Sequence, residues 1–268
     1  GEANKKTYRC KNYILSSVQS YRPGQAGNQH HIWQATLSQD AIVFTKNPGS
    51  LGARNPYRTP HKLRFRKKEM KAPTLPENRT PTYWAGENRL PKVGQCQNVA
   101  IIIYNLNTPP LLGERGIYHF THAFFPCWAF DEVIEEKNWI FGRHGEGFIA
   151  LYSAQNFYWK DKNKPFQHDL VANGKKNIWI CQMGEKKLNG NFKSFKNFRV
   201  NIKRNHPKIN LKTLNVEYNS PTVGLLEFSW KGNFFCNKKE IPLNNFPRIS
   251  NKFCFSKFNS GNLQFKKT

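Results

Sequence analysis

The chain has 268 residues, and its 42 Lys and Arg against 17 Asp and Glu give a formal net charge of +25. A length of this order suits one large domain with a sizeable core better than several small domains. The aromatic share of 14% argues against an intrinsically disordered chain, and no apolar run is long enough for a membrane span.

The first predicted strand is the run "HIWQATL" at residues 31–37, and a second strand, "AIVFT", follows it. Residues 1–28 are polar and rich in turn residues, so we expect a β-sandwich domain over residues 29–268. Alternation places His31 and Trp33 on one face of the strand, and the adjacent His30 on the other face. The two adjacent histidines are therefore not expected to bind one metal ion together.

Residues 46–92 show no clear period, hold many of the prolines, and contain the densest basic cluster, at 61–71. A loop of this length within a compact domain is typically functional or mobile. It contains four candidate substrate-binding residues, Tyr83, Trp84, Asn88 and Arg89. The two aromatic rings offer flat faces for stacking on sugars, and the other two offer hydrogen-bond donors to carboxylate or hydroxyl groups. The alternative is that Trp84 closes one end of the sandwich.

The rest of the chain is predicted to be mainly strands joined by turns. The run "NVAIIIYNL" (98–106) has apolar residues on both faces, which is typical of a buried central strand. Glycines in "HGEG" predict a tight hairpin within 139–153. "FDEVIEEKN" is interpreted as one or two helical turns. The one clear helix candidate lies within 189–205, where Phe192, Phe195, Phe198 and Ile202 recur every three or four residues and Asn191 is the candidate N-cap. This pattern predicts an all-β, antiparallel β-sandwich with one short helix and long irregular loops.

Signatures of common catalytic and cofactor sites are missing from the sequence. It contains no G-x-S-x-G, no P-loop, no dinucleotide fingerprint and no zinc-ligand spacing among its six cysteines, so we expect no cofactor and no metal. Cys181 and Cys236 lie in apolar runs and are interpreted as small buried side chains, with a single disulfide left open. We expect no signal peptide in this chain, and its localisation is not predicted.

Single histidines are then the candidates for acid–base chemistry, because imidazole titrates near neutral pH. His31 and His122 each lie at the edge of a strand rich in aromatic residues, and both are candidate catalytic residues. Trp33 and Arg143 are candidate substrate-binding residues, the latter for an acidic group. The alternative for each histidine is a partly buried side chain that hydrogen-bonds to a backbone carbonyl.

Several blocks in fixed order resemble one family. They are "QHHIWQATL", "TKNPGS", "PTYWAGENRLPKVGQ", "FTHAFFP", "FDEVIEEKNWIFGRHGEGFIALYS", "IWICQMG" and "SPTVGLLEFSWKG". Together they resemble the C-terminal β-sandwich region of bacterial heparinase II/III-like polysaccharide lyases, in which a helical toroid precedes the sandwich. The resemblance covers residues 29–248.

The resemblance implies binding of an acidic polysaccharide and β-elimination next to a uronic acid. A cationic or hydrogen-bonding group neutralises the carboxylate, which makes the proton at C5 acidic enough to be removed. The sandwich typically contributes a histidine, for which His31 is the best match, whereas the toroid typically supplies the Tyr that removes the proton. Nothing in this chain is expected to form a toroid, so we expect either that the chain is a fragment or split gene product, or that a separate toroid polypeptide is its partner.

Two other functional classes compete with a lyase module. One is a non-catalytic carbohydrate-binding or structural sandwich, which would need no histidine in an open cleft. The other is a nucleic-acid-binding protein, which would show a contiguous basic stripe with exposed aromatic residues. The lysines are instead dispersed among turns, often beside Asn, so an acidic polysaccharide is favoured over nucleic acid and no membrane partner is expected.

Overall fold

The structure of the chain, a computed structural model, describes residues 3–27, 31–48, 87–107, 118–160, 167–187 and 192–266. Within these residues the fold is all-β, as predicted, with four antiparallel sheets and one α-helix. The strands are β1 (Lys5–Arg9), β2 (Ile14–Val18), β3 (Trp33–Thr36), β4 (Ile42–Lys46), β5 (Lys92–Cys96), β6 (Val99–Asn105), β7 (Phe120–Phe124), β8 (Glu132–Glu136), β9 (Trp139–His144), β10 (Gly147–Ser153), β11 (Phe157–Trp159), β12 (Asp169–Asn173), β13 (Lys176–Glu185), β14 (Lys208–Asn210), β15 (Asn215–Ser220), β16 (Gly224–Ser229), β17 (Phe234–Cys236), β18 (Lys239–Ile241), β19 (Ile249–Ser250), β20 (Cys254–Ser256) and β21 (Gln264–Phe265). The helix is α1 (Phe195–Arg204).

Three sheets are stacked as layers. The seven-stranded sheet has the order β1-β2-β3-β4-β7-β12-β11, the six-stranded sheet has the order β5-β6-β13-β10-β9-β8, and the five-stranded sheet runs from β14 to β18. A further small sheet of β19, β20 and β21 follows near the end of the chain. Residues 1–28, expected to be a polar segment ahead of the domain, supply β1 and β2 to the first layer.

The six-stranded sheet is buried on both faces. One face packs against the seven-stranded sheet in a first core that includes Ile102, Leu151 and Trp179. The other face packs against α1 and the five-stranded sheet in a second core that includes Ile101 and Phe148. Because the central strands of this sheet are covered on both faces, they need apolar residues at consecutive positions. This explains "VAIIIY" in β6 and confirms the interpretation of this run as a buried central strand.

The predicted helix and hairpin are both present. The four apolar residues predicted to share a face of the helix, Phe192, Phe195, Phe198 and Ile202, are all buried in the second core. The helix is capped by Ser194, whose hydroxyl accepts a hydrogen bond from the backbone N–H of Asn197. The predicted cap, Asn191, lies outside the described residues. The hairpin joins β9 to β10, and Gly145 in its turn has a φ of +55°.

Loss of the Ser194 cap gives a first test of the fold. We expect Ser194→Ala to lower the free energy of unfolding by about 1 kcal/mol, because the N–H of Asn197 then has no side-chain acceptor. Urea denaturation followed by fluorescence measures the change. Lys193→Ala is the matched control, since its exposed side chain precedes the cap. An equal loss in both variants would show that the cap contributes nothing specific.

The segment "FDEVIEEKN" is not helical, which corrects the prediction. Its central residues form β8, which pairs along its whole length with β9. The β-branched residues Val133 and Ile134 favour a strand. The charge of Glu136 is neutralised by Arg199 and Lys203 from α1. Both cations lie on another element, so the local pattern of charges could not show this pairing. Among the described residues, no helix is long and apolar enough to span a membrane.

Candidate functional site

The candidate site lies on the outer face of the seven-stranded sheet, where β4, β7 and β12 run side by side. Lys46 of β4 is opposite His122 of β7, and one step along the same strands Phe44 is opposite Phe124, which is opposite Asp169. Because residues directly opposite each other project to the same side of a sheet, these five share one face. The intervening residues Thr45 and Ala123 project to the first core. We call this the outer-face site: Phe44, Lys46, His122, Phe124 and Asp169.

His122 and Asp169 form a buried hydrogen-bonded pair. Nδ1 of His122 lies 2.8 Å from Oδ1 of Asp169, and only 1% of the His122 side chain is exposed. An ionised carboxylate only accepts hydrogen bonds, so Nδ1 of His122 is the donor. Nε2 is buried and makes no hydrogen bond to any part of the chain that the structure describes. This arrangement orients a histidine as a general base.

Asp169 is held in its ionised form. Burial raises the pKa of this carboxyl, but the charge and hydrogen bond of His122 lower it by more, and Lys160 and His168 contribute in the same direction. The net pKa lies below the ordinary value of 3.8. Nζ of Lys160 lies 3.9 Å from Oδ2 of Asp169. At neutral pH Asp169 is therefore a carboxylate that accepts from Nδ1 of His122.

An aromatic row connects His31 to the outer-face site. The ring of His31 packs edge-on against Phe44 with 4.4 Å between centroids, Phe44 stacks on Phe124 at 5.3 Å, and Phe124 contacts His168 at 5.5 Å. The structure thus brings both predicted catalytic histidines to the same side of the same sheet. His31 also lines a shallow groove of about 330 Å³ with Lys5, Ser16 and Gln34.

His31 is neutral at physiological pH. The residue is exposed, but the surrounding protein covers part of its ring. This partial desolvation and the positive charge of Lys46 lower the pKa of His31 to about 4. A hydrogen bond to the backbone of Trp33 acts in the opposite direction. A neutral imidazole can donate or accept a hydrogen bond but cannot neutralise a carboxylate by its own charge.

Trp33 does not share a face with His31, which corrects the alternation argument. Trp33 is 2% exposed and packs in the first core, where its Nε1–H donates to Oγ1 of Thr45. His31 precedes β3, so strict alternation does not extend to it, and its ring contacts the outer-face residue Phe44. Because its side chain is inside, Trp33 is not placed to contact a substrate.

A buried polar chain continues from Trp33. The hydroxyl of Thr45 lies 3.2 Å from that of Tyr104, and Tyr104 donates to Oε1 of Glu87 at 3.2 Å. Burial raises the pKa of Glu87 to about 8, against the opposing effect of Lys46. Burial also lowers the pKa of Lys46, against the opposing effect of Glu87. Both side chains are almost fully buried, and burial disfavours the charged form of each.

The other predicted binding residues are distributed more widely. The backbone N–H of Asn88 donates to the carbonyl of Asn47, directly after Lys46, so the structure places Asn88 near the outer-face site. Arg89 is buried and donates from Nη1 to the carbonyl of Asn88. Arg143 lies on β9 of another sheet, paired with Asp131 and Glu132. Tyr83 and Trp84 lie outside the described residues.

Sequence reasoning missed three functional candidates, which are Asp169, Lys46 and Glu87. Their one sequence signal is a charged residue inside an otherwise apolar run, as in "IVFTK" and "HDLVA". Charged residues are rarely fully buried unless they are paired, but the partners lie tens of residues away along the chain. Among the described residues, no group of three or more His, Cys, Asp or Glu side chains is placed to hold a metal ion.

The chain was compared with known proteins at three levels. No family model, no curated protein and no solved structure matches it.

Proposed function

We propose that this chain is a β-sandwich module that binds an acidic, uronate-containing polysaccharide at the outer-face site and assists its cleavage by β-elimination. The observation that supports the proposal best is the His122–Asp169 pair, in which a buried carboxylate orients an imidazole and leaves Nε2 without a hydrogen bond to any described residue. A buried polar atom without a hydrogen bond costs free energy of folding. Such atoms are therefore often found at sites that carry out a chemical function. The net charge of +25 favours a polyanionic substrate.

The chemistry assigns a role to each group. Lys46 is the cation of the site and lies opposite His122 across the sheet, so it is the group that offsets the charge of the uronate carboxylate. Nε2 of His122 takes the proton from C5, the C4–O bond breaks, and a C4=C5 double bond forms as the leaving oxygen is protonated by an acid. The neutral ring of His31 hydrogen-bonds to sugar hydroxyl groups at the near end of the aromatic row. Because His122 is buried, a substrate reaches Nε2 only after a local rearrangement.

The test is an absorbance assay for the unsaturated uronate product. Heparin, chondroitin sulfate, hyaluronan and alginate are each incubated with the chain alone and with the polypeptide encoded upstream of it. We expect product with at least one glycan, a loss of about 100-fold or more in His122→Ala, and a smaller loss in His31→Ala. His119→Ala is the matched control, because this exposed histidine lies three residues from His122. If no glycan gives product under either condition, the lyase proposal is wrong.

A non-catalytic carbohydrate-binding sandwich is the second candidate, and the burial of His122 favours it. It predicts calorimetric binding of the same glycans that weakens with added salt, with no unsaturated product. Binding would then be unchanged in His122→Ala and reduced when basic residues of the groove, such as Lys5, are replaced. The two candidates are thus separated by the product assay and by the effect of the same variant on binding.

A further inference from the structure

Strand β5 of the middle sheet and strand β17 of the five-stranded sheet approach each other closely. Lys92, Gly94 and Cys96 alternate along β5 and project to the second core. A Cβ at Gly94 would lie 2.9 Å from Cγ of Phe234 in β17, so only glycine fits without displacing that ring. The close approach brings the next side chain of each strand together, Cys96 and Cys236.

The two thiols are in contact across the sheets. Sγ of Cys96 lies 3.4 Å from Sγ of Cys236, and both residues are half-buried free cysteines. Side-chain rotation has to bring the sulfur atoms to about 2.05 Å for a bond. Next to them, Nζ of Lys92 donates to the carbonyls of Ser229, Trp230 and Gly232, which fixes the turn before β17 against β5. The backbone that carries both thiols is therefore held in place from two sides.

We infer that Cys96 and Cys236 are a site of reversible oxidation, at which a low-molecular-weight disulfide converts the two thiols to a disulfide that joins the six-stranded and five-stranded sheets. The thiolate of one cysteine attacks the small disulfide, which forms a mixed disulfide and releases one small thiol. The second cysteine, as thiolate, then attacks the protein sulfur of the mixed disulfide and releases the other small thiol. Two protein thiols are oxidised and one small disulfide is reduced to two thiols.

The burial of Cys96 limits how much of its thiolate is present at neutral pH. Burial and the hydrogen bond to Cys236 raise the pKa of Cys96 to about 12, against the lowering effect of Lys6. The thiolate of Cys96 is therefore scarce at neutral pH, and alkaline pH favours its exchange. Sγ of Cys236 lies 3.4 Å from the carbonyl oxygen of Val223 and 3.8 Å from Nδ2 of Asn237.

The disulfide would raise the stability of the fold mainly by restricting the unfolded chain. The two cysteines are separated by 140 positions, so the bond closes a long loop and removes much of the conformational freedom of the unfolded state. Oxidation is expected to raise Tm by about 5 to 10 °C. In the folded protein it would fix the third layer of the sandwich to the middle layer.

The experiment uses the full chain, incubated with oxidised glutathione at mildly alkaline pH and then alkylated. We expect intact mass spectrometry to show two fewer alkylated thiols than in the untreated chain and peptide mapping to join the segments around residues 96 and 236. Dithiothreitol added before alkylation should reverse both results. Cys96→Ser and Cys236→Ser should each abolish the cross-link and the gain in Tm, whereas Cys254→Ser, the matched half-buried control, should keep both.

Two results would overturn the inference. In the first, the folded chain keeps six alkylatable thiols or carries glutathione without forming an internal bond. In the second, the bond maps to a different pair of cysteines. Circular dichroism of each serine variant identifies a variant that has not folded, and in that case the wild-type peptide map alone decides between the outcomes.

Discussion

An Asp169→Ala variant is expected to lose about 2 to 3 kcal/mol of its free energy of unfolding, because it leaves a buried hydrogen-bond donor without its acceptor. The substitution takes away the acceptor for Nδ1 of His122 and leaves a buried imidazole without its 2.8 Å hydrogen bond. Urea denaturation at pH 7 measures the loss directly. The same variant should also lose any lyase activity, since the ring is no longer oriented.

Asp169→Asn is the control that separates hydrogen bonding from charge. The amide oxygen can still accept from Nδ1, so this variant should lose only a part of the free energy that Asp169→Ala loses. Folding lowers the pKa of Asp169, so the carboxylate stabilises the fold above its ordinary pKa of 3.8, and this contribution disappears as the pH falls through the folded pKa. The difference between the wild type and Asp169→Asn should therefore narrow at acidic pH. Equal stability of Asp169→Ala and the wild type at pH 7 would contradict a structural pair.

The second large effect is expected at Glu87, with the opposite sign. Its pKa rises from 4.5 to about 8 on folding, so the folded state binds more protons than the unfolded state between these values. The stability due to the protonated carboxyl is fully present below pH 4.5 and is lost as the pH rises towards 8, at up to about 1.4 kcal/mol per pH unit. Glu87→Gln resembles the protonated acid and keeps an oxygen for the hydroxyl of Tyr104. We expect it to match the wild type near pH 5 and to be more stable by about 3 to 4 kcal/mol at pH 8.

The measurement is a series of urea denaturation curves from pH 5 to pH 8 for both proteins. Glu217→Gln serves as the control, because this glutamate is half exposed and its ion pair with Lys208 spans 3.7 Å at the surface. It should follow the wild type at every pH. If the Glu87→Gln curve runs parallel to that of the wild type, the carboxyl is ionised throughout, and the cost of its burial is met by Lys46 alone.

Most of the architecture could be predicted from periodicity, because burial on one or both faces leaves a pattern in a single strand. Runs such as "VAIIIY" predicted a strand without a solvent face, and the spacing of Phe192, Phe195, Phe198 and Ile202 predicted the helix. The pattern could not distinguish a helix from a strand in "FDEVIEEKN". One of its acidic residues, Glu136, is neutralised from α1, more than sixty positions later in the sequence.

The candidate site was predictable only in part. His31 and His122 stood out because histidines at strand ends are few, and the structure places both on one side of the seven-stranded sheet. The ring of His122 is oriented by Asp169, which lies 47 positions away and reaches it only through the pairing of β7 with β12. Pairing between strands distant in the sequence depends on the whole topology. A single sequence read locally therefore shows a histidine but not the carboxylate that orients it.

The burial of the six-stranded sheet on both faces also bears on how the protein can evolve. An exchange of a side chain in β6, β10 or β13 disturbs one core or the other, so almost no substitution there is neutral for packing. Variation that alters recognition of a ligand is tolerated on the outward faces of the two flanking sheets and in the connecting loops. The middle layer is therefore expected to diverge slowly between relatives, while the exposed connecting loops are free to acquire a new specificity.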